Sequence, residues 1–250
     1  MSLQEFVPAE PAVERSLVLV NGTAPEPVQD MLLDLFEDQP VSVAEADRPD
    51  YPEDTVLLVE DGSVLASSPL DAIRDTILVV NSDLYTTGSA ELGEIDVPSV
   101  IEGLTDQPFA LAGYPESNTE KLLLILVSRL VERRALEAGE GRLRASFQRL
   151  SRIKDEQGTK AVYEQLAESD VGVHVYGVPD WTPTRELEVV THGGTGPDFE
   201  RAWFVIFEPG GTDSGIGLLA YEVEPRHWRG FYTERPDRLS AVRAHITRRM

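Results

Sequence analysis

Apolar residues follow two different periods along this chain, and the two alternate most compactly within residues 143–181. An apolar run that includes Leu150 and Ile153 predicts a strand, and Val162 and Leu166 then recur at helical spacing. A short β-rich run follows and ends in an aromatic turn. The order strand, helix, strand predicts one crossover unit of an α/β domain.

The same criteria predict elements on both sides of this unit. Short apolar runs predict strands at residues 16–20, 41–43, 55–60, 63–66, 109–111, 187–191, 203–207 and 216–223. Apolar residues at helical spacing predict helices at residues 28–36, 70–78, 98–104, 122–138 and 236–250. The helix at 122–138 begins with apolar residues on nearly every side, so we expect it to be deeply buried.

Turn and capping residues divide these elements. Asp61–Gly62 lies between two apolar runs and predicts a hairpin, since this pair tolerates the positive φ angles of a two-residue turn. Ser68–Pro69 predicts a helix start, with the serine as N-cap and the proline in the first helical position. Ser117 and Glu120 have capping-box spacing before the longest helix. Residues 226–232 are interpreted as an aromatic-rich linker.

The predicted fold class is mixed α/β, with a partly antiparallel sheet flanked by helices. The antiparallel part is expected between residues 187 and 223, where glycine-rich connections separate three predicted strands. One continuous sheet and two separate sheets are both compatible with this pattern.

Charge divides the chain unevenly. The net charge is −22, and residues 1–120 hold 25 acidic side chains against three basic ones, whereas residues 121–250 hold 19 of each. Such an asymmetry predicts two regions with different surroundings. We therefore expect an acidic α/β region at 1–112 and a second α/β region at 113–250, which together can also form one continuous domain.

The basic residues are mainly arginine, because the whole chain has only three lysines. Abundant acidic residues with scarce lysine favour a protein adapted to high internal salt over an ordinary acidic protein, because a heavily acidic surface stays hydrated there. Either interpretation argues against nucleic acid as a direct ligand, since binding phosphates needs a cationic face.

Composition also narrows the cell compartment and the chemistry. The chain has no cysteine, which excludes disulfides and thiolate nucleophiles. The first 16 residues lack the basic and apolar segments of a secretory signal. The longest apolar run, at 122–127, is far shorter than the roughly 20 residues that cross a bilayer. We expect a cytoplasmic protein that has no membrane partner.

No motif for covalent or metal chemistry stands out. The four histidines, His174, His192, His227 and His245, have none of the HxH, HxxxH or HExxH spacings of metal sites. No nucleophile elbow, phosphate-binding loop or dinucleotide fingerprint occurs at a strand-to-helix junction. We therefore predict no catalytic residue, no metal ligand and no enzyme activity. An enzyme of an unrecognised type, with a pocket near His174 and Asp180, is kept as an alternative.

A ligand pocket is predicted at the end of the strand that contains His174. That side chain alternates with two valines, and the strand continues through Tyr176 into a turn with Asp180 and Trp181. Ligands of open α/β sheets tend to lie at the carboxyl ends of strands. These four residues are the candidate ligand contacts, although an aromatic residue after a turn can equally be a packing lid.

The second candidate is a concentration of arginines. Its members lie in the longest helix and the following strand, and they are Arg129, Arg133, Arg134, Arg142, Arg144, Arg149 and Arg152. Arg129 and Arg133 are the ones that we predict as ligand contacts, for an anionic ligand such as a nucleotide or a phosphorylated partner. A docking surface for the acidic region and a solvated helix end are the alternatives.

Several segments of the second region resemble the DICT domain. They are GYPESNTEKLLLILVSRLVERRALEAG, FQRLSRI, the helix ending YEQLA, and VHVYGVPDW. The chain resembles a stand-alone, halophilic-archaeal form of this family, which is a sensory module associated with diguanylate cyclases and two-component systems.

The resemblance implies a signal-input module that binds a small ligand or a protein signal and relays it to a separate signalling partner or to transcription control. It specifies neither a cofactor nor an oligomeric state. A protein-interaction scaffold that binds no small ligand is a further alternative.

Overall fold

In the computed structural model the described residues are 2–10, 13–36, 39–82, 92, 96–112, 119–211 and 215–250. Their strands are β1 (Arg15–Val20), β2 (Ser42–Ala46), β3 (Thr55–Glu60), β4 (Ser63–Pro69), β5 (Pro108–Ala112), β6 (Glu140–Arg149), β7 (Asp170–Val178), β8 (Val190–Gly193), β9 (Ala202–Glu208), β10 (Ile216–Glu224) and β11 (His227–Thr233). Their α-helices are α1 (Glu26–Phe36), α2 (Leu70–Ser82), α3 (Ser99–Glu102), α4 (Thr119–Ala138), α5 (Arg152–Asp155), α6 (Gln157–Ala167), α7 (Pro197–Arg201) and α8 (Pro236–Arg249). Leu3–Phe6 and Pro183–Arg185 form 3₁₀ helices.

A small four-stranded sheet has the order β2-β1-β3-β4. β1 and β2 are parallel and are connected through α1, whereas β3 runs antiparallel to β1. The turn between β3 and β4 places Asp61 at φ 49° and Gly62 at φ 78°. Positive φ at both central residues is the geometry that two-residue hairpins prefer, so the predicted hairpin is confirmed.

A larger seven-stranded sheet has the order β5-β11-β10-β9-β6-β7-β8. β6, β7 and β8 are parallel, and α6 forms the crossover from β6 to β7. β5, β11, β10 and β9 are antiparallel to one another in this order across the sheet. β6 joins this antiparallel part to the parallel part, because it runs antiparallel to β9. The predicted mixed α/β class is confirmed, and the structure divides the strands between two sheets.

Different elements cover the two faces of the large sheet. Because strand residues alternate between faces, Val173 and Val175 of β7 point to one side, and His174 and Tyr176 to the other. The two valines join a buried cluster with α4 and α6, whereas Tyr176 joins a cluster with α7, α8 and the N-terminal 3₁₀ helix. We call these sides the α4 face and the α8 face.

One buried core reaches both sheets. It contains Leu17 and Val56 of the small sheet, Leu124 of α4 and Val175 of the large sheet. α4 contacts α1 and α2 as well as β6 and β9, so it connects the two halves of the core. Residues 123–127 are all buried, which confirms the deep burial that their apolar sequence predicts.

The predicted division at 112/113 falls beside an element that belongs to the large sheet. β5 lies before this division in the sequence, yet it pairs with β11 at the edge of that sheet. Residues 113–118, including Ser117 of the predicted capping box, lie outside the described residues. The division into an acidic region and a second region stays a prediction.

Two predictions about the last strands are wrong. The segment at 226–232, predicted as a linker, lies almost entirely in β11, which pairs with both β10 and β5. The strand predicted at 187–191 begins only at Val190, and as β8 it pairs parallel to β7. Leu187 and Val189 produced its apolar signal, but they pack into the core before the strand begins.

Two local predictions also need correction. Ser68 is the penultimate residue of β4, and its Oγ accepts the Val100 N–H at 3.2 Å, so it binds a neighbouring helix and does not cap α2. The α2 residue Leu70 instead donates its N–H to the Asp54 carbonyl at 2.8 Å. Ile153, predicted in a strand, lies in α5, because β6 begins and ends earlier than its apolar run indicates.

Candidate functional site

An irregularity at the carboxyl end of β6 defines a polar site on the α4 face. The register with β7 shifts between Ser146 and Arg149, and Gln148 there has φ 53° although it is not glycine. Such a conformation costs on the order of 1–3 kcal/mol and is found mostly where the surrounding structure holds it for a purpose. A bulge of this kind redirects side chains at the end of a strand.

Hydrogen bonds hold the redirected side chain in place. The Gln148 side chain is buried, and its Nε2 donates to the Ala202 carbonyl at 2.6 Å. Ser146 Oγ donates to the same carbonyl at 2.9 Å. Arg152 donates to Gln148 Oε1. The bulge is therefore connected to the first residue of β9 and to α5.

A buried ion pair lies next to this bulge. Arg129 Nη1 and Glu132 Oε2 of α4 are 2.6 Å apart, and their side chains are only 4% and 3% exposed. Arg129 Nη2 also donates to Thr159 Oγ1 at 3.4 Å, and Thr159 donates to Glu156 Oε2 at 3.1 Å. Burial, with the Glu132 carboxylate close by, raises the pKa of Tyr163 well above its usual value. Tyr163 therefore stays a neutral phenol.

These groups surround a small cavity of about 30 Å³, with room for a few water molecules. Its charged lining consists of Arg129, Arg152, Glu132 and Glu156, so positive and negative side chains balance. Such a lining suits a molecule that is neutral overall and offers both donors and acceptors.

Aromatic side chains form the apolar part of the cavity wall. Phe147, Tyr163 and Trp203 all line it, and the Phe147 and Tyr163 rings pack edge to face with centroids 5.1 Å apart. Trp203 Nε1 donates to Ser128 Oγ of α4 at 3.1 Å. Trp203 thus connects the cavity wall on β9 to α4 and provides an intrinsic fluorescent reporter of this site.

The predicted arginine set is distributed over several places. Arg129 lies in the cavity, as described, but Arg133 forms ion pairs with Asp96 at 3.5 Å and Glu137 at 3.2 Å. Arg144 belongs to the α8 face and pairs with Glu208. The structure therefore brings Arg129 into a polar site and places Arg133 in a partly exposed ion-pair cluster.

Two of the predicted pocket residues meet on the α8 face. His174 Nδ1 lies 2.9 Å from Nε2 of His192, which comes from the neighbouring strand β8. Tyr176 stacks on His192 with ring centroids 4.2 Å apart. Burial, with Arg144, His192 and Arg142 nearby, lowers the pKa of His174 from 6.5 to about 4. Burial and Arg144 also lower the pKa of His192, so the pair is neutral at neutral pH.

The other two predicted residues lie in the turn after β7. Asp180 accepts the N–H and the Oγ–H of Ser151, both at 2.9 Å. Burial opposes ionisation of Asp180, but the hydrogen bonds from Ser151 outweigh it and lower the pKa. Lys154 Nζ lies 5.8 Å from the centre of the Trp181 ring. The geometry therefore connects Asp180 and Trp181 to α5 and the turn before it, while their ligand role stays a prediction.

The lowered pKa of His174 predicts a dependence of stability on pH. The unfolded chain protonates this side chain near pH 6.5, whereas the folded chain does so only near pH 4. The stabilisation is therefore complete above pH 6.5 and is lost progressively as the pH falls towards 4. We expect the melting temperature of the wild type, relative to a His174→Gln variant, to fall by several degrees between pH 7.5 and 4.5.

Thermal melts of both proteins at pH 7.5, 6.0 and 4.5 measure this difference. Using the difference removes the general effect of neutralising carboxylates, which both proteins share. A difference that stays constant across the three values would contradict the prediction.

A comparison with known protein families matches the part of the chain that contains both sites. Residues 99–221 match the family model of DICT, a sensory domain in diguanylate cyclases and two-component systems. This segment is therefore similar to the DICT sensory domain. The DICT segment runs from α3 into β10 and contains both the cavity and the histidine pair. No curated protein and no solved structure matches the chain significantly.

Among the described helices, none combines the length and apolarity that crossing a membrane requires. Among the described side chains, no group of three or more histidine, aspartate or glutamate residues is arranged to hold a metal ion.

Sequence reasoning missed Glu132, Gln148 and His192 as members of these sites. Glu132 had a signal, since its i,i+3 spacing from Arg129 places both on one helix face. Gln148 had none, because a bulge depends on the pairing of three strands. His192 could be found only through the parallel register of β8 with β7.

Proposed function

We propose that this protein is a signal-input module in which the cavity beside the β6 bulge binds a small polar molecule and the bound state is relayed to a separate signalling protein. The observation that carries the proposal is the strained Gln148, held in a buried polar network within the DICT segment. Strain and buried charges reduce stability, so their presence together favours a binding role over a packing role.

The contacts of the cavity suggest how a signal leaves it. Gln148 and Ser146 bind the Ala202 carbonyl of β9, and Trp203 binds Ser128 of α4. α4 also contacts α1 and α2, which lie beside the acidic small sheet. A ligand that displaces Gln148 or Arg152 would therefore move α4 relative to these helices. We infer that the surface around α1 and α2 is where a protein partner detects the change.

The partner is proposed to be an output protein of a two-component or diguanylate cyclase system, in the cytoplasm of a salt-adapted cell. The family description supports this choice of partner, and the scarcity of lysine supports the salt-adapted cell. A halophilic-archaeal form of the family remains part of this proposal.

A ligand screen tests the cavity directly. Small neutral or zwitterionic metabolites would be added at high salt, and binding would be detected as a rise in melting temperature together with a change in tryptophan fluorescence. A Gln148→Ala variant should bind any such ligand up to about tenfold more weakly, because a typical hydrogen bond contributes roughly 0.5–1.5 kcal/mol. Gln4→Ala, at an exposed position, is the matched control.

A second substitution distinguishes the backbone strain at Gln148 from the loss of its side-chain hydrogen bonds. Gln148→Gly removes the same hydrogen bonds but tolerates φ 53°, so it should melt above Gln148→Ala while binding equally weakly. Full ligand binding by both variants would exclude the cavity as the sensing site. Turnover of a substrate that depends on His174 would instead favour the enzyme alternative, and partner capture without any ligand would favour the scaffold.

A further inference from the structure

A second polar cluster lies on the α8 face, on the opposite side of the sheet from the cavity. We call it the histidine–arginine cluster, and it consists of His174, His192, Arg144, Arg142 and Arg243, with Glu208 as its acidic member. These residues come from β6, β7, β8, β9 and α8. The proposed sensing cavity does not use this cluster.

Register and ion pairs hold the cluster together. Arg144 of β6 lies opposite His174 of β7 in the strand register. His192 of β8 forms a hydrogen bond with His174. Glu208 accepts from Arg144 through one oxygen and from Arg243 at 2.6 Å through the other. The single carboxylate is thus shared between two guanidinium groups, which leaves an excess of positive charge.

Positive charge concentrated here is unusual for a chain whose net charge is −22. The charged groups that influence His174 are Arg144, His192 and Arg142, and every one of them disfavours its protonation. Arg144 is only 4% exposed, and within the described residues its Nε is buried and has no hydrogen-bond partner. A buried donor that lacks a partner lowers the stability of the fold. A bound ion that accepts a hydrogen bond from this donor is one explanation for its presence.

We propose that the histidine–arginine cluster is a binding site for a phosphate group, carried by a small molecule or present as free phosphate. Guanidinium donors match tetrahedral oxyanions, and they bind them through charge-assisted hydrogen bonds. A neutral pair of hydrogen-bonded histidines always has one outward-facing N–H, and a protonated pair has two, so the pair adds donors as an anion approaches. Glu208 acts as an internal competitor that partly occupies the arginines in the absence of phosphate.

The alternative of a divalent cation is less compatible with this geometry. Two neutral imidazoles can ligate zinc or copper, but the site also needs further ligands, and Arg144 and Arg142 would repel a cation. Nucleic acid is disfavoured by the acidic remainder of the chain.

The four histidines allow a direct test by NMR. The imidazole C2–H signals would be titrated between pH 4 and 8 in inorganic phosphate and, as reference, in sodium chloride of equal ionic strength. Phosphate should raise the apparent pKa of His174 by about one unit or more, because a nearby negative charge favours the protonated ring. The C2–H signal of His227, which is exposed and lies outside the cluster, is the internal control.

Three variants with different expected directions test the assignment. Arg144→Met should remove the phosphate effect, and Glu208→Gln should strengthen phosphate binding by about threefold or more, since the competing carboxylate is gone. Arg74→Gln, which removes one positive charge in the small-sheet region, is the matched control. If Arg144→Met does not fold, Arg142→Gln takes its place and should weaken binding.

The outcomes separate the possibilities. A pKa increase at His174 with phosphate and with methyl phosphate identifies a site that accepts phosphate monoesters, and an increase with phosphate alone identifies a site for the free ion. Equal titration of His174 in phosphate and chloride, or a phosphate-induced change of the same size in the His227 signal, would overturn the proposal. Neither result depends on the sensing cavity, whose ligand is tested by Gln148 variants.

Discussion

Replacing Glu132 with leucine is expected to destabilise the protein by about 3–5 kcal/mol, because it removes one partner of a buried ion pair with Arg129. At roughly 2–4 °C per kcal/mol for a chain of this size, the melting temperature should fall by about 10 °C. The pair lies in the middle of α4, so the loss affects the helix that connects the two halves of the core. Thermal and denaturant unfolding at high salt measure it.

A double variant distinguishes the cost of removing one partner of the buried pair from the cost of losing the pair as a whole. Arg129→Met combined with Glu132→Leu removes both charges and should recover most of the lost stability, since buried ion pairs often contribute little net stabilisation. The same double variant should lose ligand binding if the cavity is the sensing site. A Glu132→Leu protein as stable as the wild type would show that water reaches the pair and solvates it.

Replacing Leu124 with alanine is expected to cost about 2–5 kcal/mol, because this side chain is fully buried within the core that both sheets share. If α4 connects the sheets energetically, the small and large sheets should lose stability together. Hydrogen exchange of β1 and β3 should then accelerate by the same factor as that of β6 and β9.

The matched control is Leu78→Ala in α2, where the leucine is 53% exposed. It should change stability by only a few tenths of a kcal/mol, as surface substitutions usually do. Acceleration confined to the large sheet in the Leu124→Ala protein would mean that the two sheets unfold independently. That result would support the division at 112/113 as a true domain boundary.

Local signals in the sequence were sufficient for much of the fold. The hairpin at Asp61–Gly62 and the burial of α4 follow from turn chemistry and from an apolar helix surface, both of which depend on neighbouring residues. The crossover from β6 through α6 to β7 follows from the order of periodic segments. Each of these features was predictable because no distant partner decides it.

Features that depend on distant partners were not predictable. β11 is rich in aromatic residues and contains Gly230, and a linker has a similar composition. It becomes a strand because it pairs with β10, which directly precedes it, and with β5, which is more than 100 residues away in the sequence. The direction of β8 is set by the path through the 3₁₀ helix at Pro183–Arg185, which alternation of apolar residues does not describe.

The residues of the candidate sites were likewise predictable only where local sequence identifies them. Arg129 was identified because basic residues concentrate in one helix, but its partner Thr159 is 30 positions away. His174 was identified from its place at the end of a strand, yet its closest polar contact is His192 on another strand. The sequence therefore identified most of the arginines of both clusters and His174, whereas partners such as Glu132, Gln148 and His192 became evident only from the packing of the helices and the sheet.

The position of β5 has a practical consequence for where this chain can be cut. A fragment beginning at residue 113 would retain α4 and six strands of the large sheet but leave the outer edge of β11 uncovered. An open edge strand offers its backbone N–H and C=O groups to other chains and promotes aggregation. A fragment made to express the sensory segment alone should therefore begin before Pro108, so that β5 still covers the edge of β11.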